Sequence, residues 1–341
     1  MILKKYVSYL ILLIIMVVNT NVRAQIETNK PMDMTSKLIQ PPYLKAGDTV
    51  AIVAPSGILK SREGEVQQAI KLLQSWGLNA IVGDHVFSQS NHFAGDDYER
   101  CVDLQSVMDN PTVSAIWCAR GGYGTVRILD KLDYTEFKKN PKWVIGYSDI
   151  TALHNQVHNE GFQSLHALMC VSLTKDLNDI KETVATFKSA LFGEPTDYTL
   201  KGSKYNRVGE TSGELVGGNL TMLHTMLGSK ESIDTSGKIL FIEEIGEYKY
   251  HIDRMLQSMK RAGYFDHLNG LVVGDMSKMR KNTTLWGASV EQLILDALED
   301  YDFPITFNMP AGHEKDNRAL VLGRTLDLKV GKAQTTLKFS E

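Results

Sequence analysis

Ser148 lies where an apolar run ends and a helical pattern begins. The run Trp143–Gly146 is apolar, and the chain continues as Tyr-Ser-Asp-Ile-Thr to residue 151. A serine at a sharp strand-to-helix turn projects its hydroxyl above the sheet, and the amide of the next residue can stabilise an oxyanion. Serine is also a common helix N-cap, and Ile150 stands where the usual GxSxG pattern has its second glycine. The turn therefore predicts either a nucleophile or a helix cap.

A serine nucleophile needs a base and a group that orients the base. His313 lies in the loop 310–314 after an apolar run, and loops of this kind often present functional side chains. Glu243 and Glu244 directly follow the apolar run Ile239–Ile242. A carboxylate that ends a buried strand is well placed to orient a histidine. A solvated loop histidine and a solvated strand end are the alternative interpretations.

Three other histidines compete for a chemical role. His154 and His158 are one helical turn apart, a spacing that also suits two metal ligands, although positions on an ordinary helix face explain it as well. His224 lies in an apolar helical segment and is a candidate core residue. The sequence has no CxxC, HExxH or paired His/Cys cluster. We therefore predict no metal and no other cofactor.

A glycine-rich segment, Arg120-Gly-Gly-Tyr-Gly124, follows another apolar run. Its three glycines allow backbone amides to approach a ligand closely, and such a loop can hold an anion when it opens a helix. The spacing matches neither GxGxxG nor a Walker loop, so a tight turn is the alternative. Arg120 is a candidate partner for a terminal carboxylate, because a guanidinium can bind one bidentately. An ion pair within the protein is the other possibility for Arg120.

The pattern of apolar runs predicts the elements that position these residues. Short runs beginning at 49, 79, 113, 143 and 163 alternate with helical spacing, which is typical of a parallel, doubly wound sheet. Such sheets bind ligands at the carboxyl ends of their strands. After about residue 197 the strands become shorter, and the last segment alternates like antiparallel β structure. We predict a Rossmann-like domain over 45–195, a linker over 196–211 and a smaller α/β domain over 212–341.

The first 24 residues have the features of a signal peptide. Lys4 and Lys5 precede the apolar run Tyr6–Val18, and Val22-Arg23-Ala24 has the small-x-small pattern of a cleavage site. The run is shorter than the roughly 20 residues that a membrane-spanning helix needs, although a single-span anchor is the alternative. We predict cleavage after Ala24, a polar leader over 25–44, a periplasmic or secreted location and no stable membrane insertion.

Charge and cysteine content exclude several classes of function. The 37 basic and 40 acidic residues give a net charge of −3, which becomes −6 when the three basic residues of the predicted signal peptide are removed. A mildly acidic chain argues against nucleic acid or an anionic membrane as a partner, because both require basic patches. The three cysteines, Cys101, Cys118 and Cys170, are too few for a disulfide scaffold, and we expect none of them to pair.

Six segments occur together in an order that resembles one family. They are Pro55-Ser-Gly57, Arg120–Gly124, Gly146–Thr151, Gly217-Gly-Asn-Leu220, Phe241-Ile-Glu-Glu244 with Tyr250-x-Ile-Asp-Arg254, and Gly312-His313. Over about residues 45–330 the chain resembles the LD-carboxypeptidases, the muramoyl-tetrapeptide carboxypeptidases to which the microcin C immunity peptidases are related.

The resemblance implies a role for each candidate residue. Ser148 would be the nucleophile, His313 the general base and acid, and Glu243 the residue that orients the imidazole, with Glu244 as the fallback. The amide of Asp149 and one from the Gly121–Gly122 turn would form the oxyanion hole. Candidate substrate-binding residues within the matched segments are Arg120, Tyr123 and Asn219. The resemblance also implies a Rossmann-like sheet, a C-terminal β-barrel-type domain and a homodimer.

The implied reaction removes the terminal D-alanine from a murein tetrapeptide through an acyl-enzyme. The best-known members of the family act in the cytoplasm, whereas this chain carries a predicted export signal, so the expected substrate is murein-derived peptide outside the cytoplasm. Two alternatives remain. The first is a peptidase of the same fold that cleaves a peptide–nucleotide antibiotic, and the second is a non-catalytic periplasmic peptide-binding protein.

Overall fold

The computed structural model describes residues 37–173 and 175–340, and the described residues from Leu38 onward form one compact unit. The predicted signal peptide, residues 1–24, and the leader up to residue 36 lie outside the described residues, so both stay predictions. Within the described part of the chain, no helix has the length and apolar character needed to cross a membrane.

The described chain contains two sheets and the helices that cover them. The strands are β1 (Thr49–Val53), β2 (Asn79–Val82), β3 (Val113–Cys118), β4 (Trp143–Gly146), β5 (Ser164–His166), β6 (Tyr198–Lys201), β7 (Gly209–Asn219), β8 (Ile239–Ile245), β9 (Gly270–Ser277), β10 (Ile305–Thr306), β11 (Leu320–Leu322), β12 (Thr325–Val330) and β13 (Gln334–Phe339). The α-helices are α1 (Glu63–Ser75), α2 (Asp97–Asp109), α3 (Thr135–Lys139), α4 (Thr151–Asn159), α5 (Lys181–Phe192), α6 (Leu220–Thr225), α7 (Lys249–Arg261) and α8 (Val290–Ala297).

The first sheet confirms the predicted parallel, doubly wound arrangement. Its order is β11-β5-β4-β3-β1-β2, and β1 to β5 are all parallel. The strands β3 and β4 have the bounds that their apolar runs predict. Both strands are almost completely buried, so their sequences are almost entirely apolar. Strand β11 joins the edge of this sheet in antiparallel register, with Leu320 opposite His166. The sequence pattern does not reveal this crossing from the C-terminal part of the chain.

The second sheet is mixed, and contacts join its two ends, in agreement with a barrel-type α/β domain. Its order is β10-β9-β8-β7-β12-β13-β6, with β7 to β10 parallel and β12, β13 and β6 antiparallel. Arg207 pairs with Ile305, and the Asn206 amide contacts the Phe307 N–H and the Thr335 hydroxyl, so the chain before β7 connects β10 to β13. The segment 196–211, predicted as a linker, therefore contains β6 and the start of β7.

The carboxyl ends of the parallel strands carry the candidate residues. Ser148 follows β4 and the glycine turn, residues 120–124, follows β3, while Glu243 lies near the end of β8. The His313 loop, which we define as residues 310–317, runs between β10 and β11. Because β11 belongs to the first sheet, this loop leaves the second sheet and returns to the first. That path brings His313 to Ser148.

Candidate active site

Ser148 occupies a strained turn between β4 and α4. Its φ is +64°, a left-handed conformation that a non-glycine residue adopts only where the surroundings impose it. Ser148 is the first residue of a single 3-10 turn, Ser148–Ile150, and this turn leads directly into α4. The Ser148 hydroxyl makes no capping hydrogen bond to this helix. The structure therefore does not bear out the N-cap interpretation, and the half-buried hydroxyl lies within hydrogen-bond distance of His313 instead.

Ser148, His313 and Glu243 form a continuous hydrogen-bonded chain. The Nε2 atom of His313 lies 3.1 Å from Ser148 Oγ, and Nδ1 lies 2.7 Å from Glu243 Oε2. The Glu243 side chain is fully buried, whereas the His313 side chain is 13% exposed. An Nδ1–H that donates to Glu243 leaves Nε2 free to accept the serine proton, which is the arrangement a general base requires.

The strand geometry of β8 decides between Glu243 and Glu244. Successive side chains of a strand point to opposite faces, so Glu243 lies on the same face as Phe241, and Glu244 on that of Ile242. Glu244 accepts hydrogen bonds from the backbone N–H of Thr221, at 2.8 Å, and from its hydroxyl, at 2.7 Å. It thus stabilises the start of α6. Glu243 is therefore the carboxylate that contacts His313, while Glu244 is bonded to the start of α6.

Acidic neighbours raise the pKa of His313. Burial alone lowers the pKa of this imidazole, but the hydrogen bond and charge of Glu243, together with the charges of Glu244 and Asp275, outweigh that effect. An imidazole surrounded in this way is a stronger base than one in water, and its imidazolium form is stabilised when it takes a proton. Both properties suit a group that moves a proton from Ser148.

Gly121 lies against the Ser148 turn from the side of β3. A Cβ atom on Gly121 would lie 3.1 Å from Ser148 Cβ, 3.3 Å from Ser148 Oγ and 3.4 Å from the Asp149 nitrogen. The carbonyl of Gly121 accepts a hydrogen bond from the Gly57 N–H at 3.1 Å, so the amide of Gly122, across the same trans peptide, points away from Gly57. Gly121 and the backbone nitrogen of Asp149 therefore lie close to the Ser148 side chain.

The Asp149 carboxylate joins the strand ends beneath this region. Its Oδ2 accepts hydrogen bonds from the Ser56 hydroxyl, at 2.6 Å, and from the Thr125 N–H, at 2.9 Å. Asp149 and Ser56 are both buried. The loops after β1 and β3 are in this way tied to the residue that follows Ser148. The buried Arg100 adds to this by donating to the carbonyls of Pro55 and Gly124, at the ends of the same two loops.

The three predicted substrate-binding residues lie in different environments. Arg120 donates a hydrogen bond to the carbonyl of Ile58, and the described residues give it no carboxylate partner. Tyr123 is 47% exposed and packs its ring against Phe93. Asn219 caps α6: its Oδ1 accepts from the Met222 N–H, and its Nδ2 donates to Glu244. Asn219 therefore has partners within the chain for both ends of its amide.

Two of the three competing histidines, His154 and His158, have partners within the fold. His154 is buried on α4 with Nε2 against the Gly146 carbonyl at 2.9 Å, and burial lowers its pKa to about 4. His158 pairs with Glu214 at 2.6 Å, and His224 is half-buried. Across residues 37–173 and 175–340 there is no group of three His, Cys, Asp or Glu side chains that could hold a metal ion. Cys101, Cys118 and Cys170 are free.

Two residues next to the site were missed by the sequence analysis. Asp275 is at the end of β9, and its N–H donates to the Ala311 carbonyl while its Oδ2 accepts from the Glu314 N–H, so it contacts the His313 loop on both sides of His313. Tyr147 packs its ring edge-to-face with that of His313, with centroids 5.0 Å apart. Asp275 follows an apolar run as Glu243 does, and this pattern is the signal that would have identified it.

Comparison with known sequences matches both parts of the chain to one family. Residues 50–167 match the LD-carboxypeptidase N-terminal domain, and residues 212–328 match the LD-carboxypeptidase C-terminal domain. A protein of Bacillus subtilis named "Probable murein peptide carboxypeptidase" is 35% identical over 288 residues, which are 83% of this chain and 89% of that protein.

Comparison with solved structures gives the same fold. The muramoyltetrapeptide carboxypeptidase from Oxalobacter formigenes superposes with a TM-score of 0.77 at 28% identity, over 86% of this chain and 99% of that one. The microcin C7 self immunity protein MccF, in complex with aspartyl sulfamoyl adenosine, has a TM-score of 0.77 at 20% identity, over 88% and 98% of the two chains. The second likeness is one of fold alone.

Proposed function

The chain belongs to the LD-carboxypeptidase family and is a carboxypeptidase, and we propose that it is a serine enzyme that removes the terminal D-alanine from murein tetrapeptides. The bond cleaved joins the L-configured centre of the third residue, a diamino acid, to D-alanine. The observation that supports a serine mechanism is the chain Ser148 Oγ–His313 Nε2, 3.1 Å, and His313 Nδ1–Glu243 Oε2, 2.7 Å.

The acylation step follows from this geometry. His313 takes the proton of the Ser148 hydroxyl while Oγ attacks the scissile carbonyl, and Glu243 stabilises the imidazolium that forms. Collapse of the tetrahedral intermediate breaks the C–N bond, and His313 delivers the proton to the nitrogen of the departing D-alanine. Water then attacks the acyl-enzyme with His313 again as the base, which releases the tripeptide and restores Ser148.

The oxyanion of both tetrahedral intermediates needs donors in place before the reaction. We assign this role to the backbone amide of Asp149 and to one amide of the Gly121–Gly122 turn. The close approach of Gly121 to the Ser148 side chain and to the Asp149 nitrogen supports the assignment. The positive end of α4, which begins three residues after Ser148, favours negative charge at the same position.

The location and assembly of the enzyme are further parts of the proposal. The predicted signal peptide over residues 1–24 supports action in the periplasm or outside the cell, on murein-derived peptide that has not been taken up. We also propose a homodimer, by resemblance to the family. Separation of membrane, periplasmic and cytoplasmic fractions, followed by size measurement of the mature protein, tests both statements. A cytoplasmic, full-length monomer would contradict them.

Replacement of the nucleophile tests the mechanism most directly. We expect Ser148→Ala to lower the rate of D-alanine release by on the order of 10⁶-fold, because the acyl-enzyme can no longer form. Mass analysis of tetrapeptide and tripeptide measures the rate, and labelling by a serine-directed phosphonate reports on Ser148 independently. Ser106→Ala, whose hydroxyl bonds to a carbonyl within α2, is the control and should still be labelled. A wild-type enzyme that binds tetrapeptide without labelling or cleavage would instead be a binding protein.

A further inference from the structure

A small cavity opens beside the imidazole of His313. Its volume is about 220 Å³, and its walls include Tyr147, Val171, Ser172, Ile180, His313 and Lys315. This is less than the roughly 300–1,000 Å³ of pockets that hold a whole drug-sized ligand. It therefore suits one small residue of a peptide.

The position of the cavity relates it to the departing part of the substrate. The imidazole that lines it is the group that would protonate the leaving nitrogen, so the leaving residue must lie on the His313 side of the scissile carbonyl. Neither Gly121 nor Asp149, which lie on the oxyanion side, contributes to its walls. The cavity thus lies where the residue after the cleaved bond has to be.

The lining has the chemistry of a small D-amino acid with a free carboxylate. Val171 and Ile180 supply apolar contact for a methyl group, while the hydroxyls of Tyr147 and Ser172, 3.1 Å apart, supply polar groups. Lys315 brings a positive charge. Its ammonium is 3.7 Å from Asp179 Oδ2, and both side chains are more than half exposed, so this pair is weak and a bound carboxylate can replace it at little cost.

The backbone that carries Lys315 is held in place. The hydroxyl of Thr183, on α5, donates to the Lys315 carbonyl at 3.0 Å and accepts from the Asn317 N–H at 2.8 Å. The Asn317 side chain in turn accepts from the Gly312 N–H at 2.9 Å. The same contacts therefore fix the positions of His313 and Lys315 relative to each other. A carboxypeptidase needs such a fixed spacing, because it cleaves only the bond next to the terminal carboxylate.

We propose that this cavity is the pocket for the leaving D-alanine, with Lys315 as the residue that binds its terminal carboxylate. The proposal rests on the proposed function and assigns to Lys315 the role that the sequence suggested for Arg120, whose guanidinium is directed to the Ile58 carbonyl. Glu314 also lines the cavity and is exposed, and its charge opposes a carboxylate there. Removal of the charge of Glu314 and removal of the charge of Lys315 should therefore change the binding of a terminal carboxylate in opposite directions.

The test compares a tetrapeptide that ends in D-alanine with the same peptide ending in D-alaninamide. The third residue is lysine or diaminopimelate, whichever the wild-type enzyme cleaves faster. For Lys315→Gln we expect KM for the acid to rise on the order of 10-fold, which is the value of one charge-assisted hydrogen bond in a partly exposed site. The kcat should change little, and KM for the amide should stay the same. Lys315→Arg should retain most of the preference, and Glu314→Gln should lower KM for the acid.

The outcomes separate this proposal from the proposed function. If wild-type enzyme cleaves the acid but Lys315→Gln has the same KM for acid and amide as the wild type, the role of Lys315 is wrong and the carboxypeptidase stands. If wild-type enzyme releases no D-alanine from either peptide, the proposed function itself is wrong. Phosphonate labelling of Ser148 in every variant establishes that each is folded with an intact nucleophile.

Discussion

Ser148 and His313 approach to 3.1 Å, yet the chain positions them by different means. The Ser148 turn is built from consecutive residues: β4 ends, one residue adopts a left-handed conformation, and α4 begins. His313 lies in a loop whose position depends on distant residues, namely Asp275 on β9 and Thr183 on α5. The proposed nucleophile is therefore positioned by local structure and the proposed base by tertiary contacts. Substitutions in the two regions should differ accordingly.

Of the substitutions that distinguish the two regions, the largest effect on kcat is expected at the two adjacent glutamates of β8, of which only Glu243 contacts His313. Glu243→Gln should lower kcat by on the order of 10⁴-fold, because the amide lacks the negative charge and its NH2 group can donate to Nδ1, which favours the wrong tautomer of the imidazole. Glu244→Gln should leave kcat nearly unchanged and lower the free energy of unfolding by about 1–3 kcal/mol, through its bonds to Thr221. Steady-state kinetics and urea denaturation measure the two quantities. The reverse pattern would mean that Glu244 orients His313.

A smaller loss is expected where the glycine turn meets Ser148. Gly121→Ala places a methyl group 3.1 Å from Ser148 Cβ, closer than a normal contact, so the turn must move. We expect kcat to fall by on the order of 10²-fold, the value of one oxyanion donor, with little change in KM. Gly64→Ala, where nothing lies within 4 Å of the added carbon, is the matched control. Unchanged kcat in Gly121→Ala would contradict the proposed role of this turn in the oxyanion hole.

Replacement of Ser56, which lies beneath the Ser148 turn, should change the stability of the protein rather than its catalytic rate. Ser56→Ala removes the 2.6 Å hydrogen bond to the buried Asp149 carboxylate, and we expect the free energy of unfolding to fall by about 1–3 kcal/mol. Ser75→Ala, whose hydroxyl bonds only within its own helix end, should change it by less than about 0.5 kcal/mol. If urea denaturation gives the same free energy of unfolding for both variants, the hydrogen bond from Ser56 to Asp149 does not stabilise the fold more than an ordinary surface hydrogen bond.

The smallest effect concerns the pH dependence set by Asp275. In the proposed mechanism His313 acts as a base only when neutral, so kcat/KM should rise as pH rises through the pKa of His313. Asp275, whose own pKa burial raises to about 6, is one of the charges that raise the His313 pKa, with Glu243 and Glu244. Asp275→Asn keeps an acceptor for the Glu314 N–H but removes the charge, so the His313 pKa should fall.

The measurement is the acid limb of kcat/KM against pH. It should move to lower pH in Asp275→Asn, while the rate above neutral pH changes little. Asp253→Asn, in a carboxylate on α7 that carries no described contact to His313, should leave the limb in place. A limb that stays in place in both variants, or moves to higher pH in Asp275→Asn, would contradict the electrostatic role of Asp275.

The part of the site that local residues form was predictable. The run Trp143–Gly146 followed by a serine and a helix implies a strand-to-helix turn, because burial favours the strand and the helix pattern starts within three residues. The resemblance assigned Ser148, His313 and Glu243, and the structure brings all three together. The role of Glu243 over Glu244 follows from the two-residue period of a strand, but only once the face that meets His313 is known.

The sequence by itself determined the strands of the first sheet, the turn at Ser148 and the types of residue available for chemistry, since these depend on apolar periodicity and neighbouring residues. Tertiary structure alone decided that β11 pairs with β5, that Asp275 contacts the His313 loop and that Lys315 shares a cavity with His313. It also gave Asn219 a capping role and directed Arg120 to a backbone carbonyl. Such contacts join residues far apart in the chain, and no local pattern records which of several polar side chains will meet.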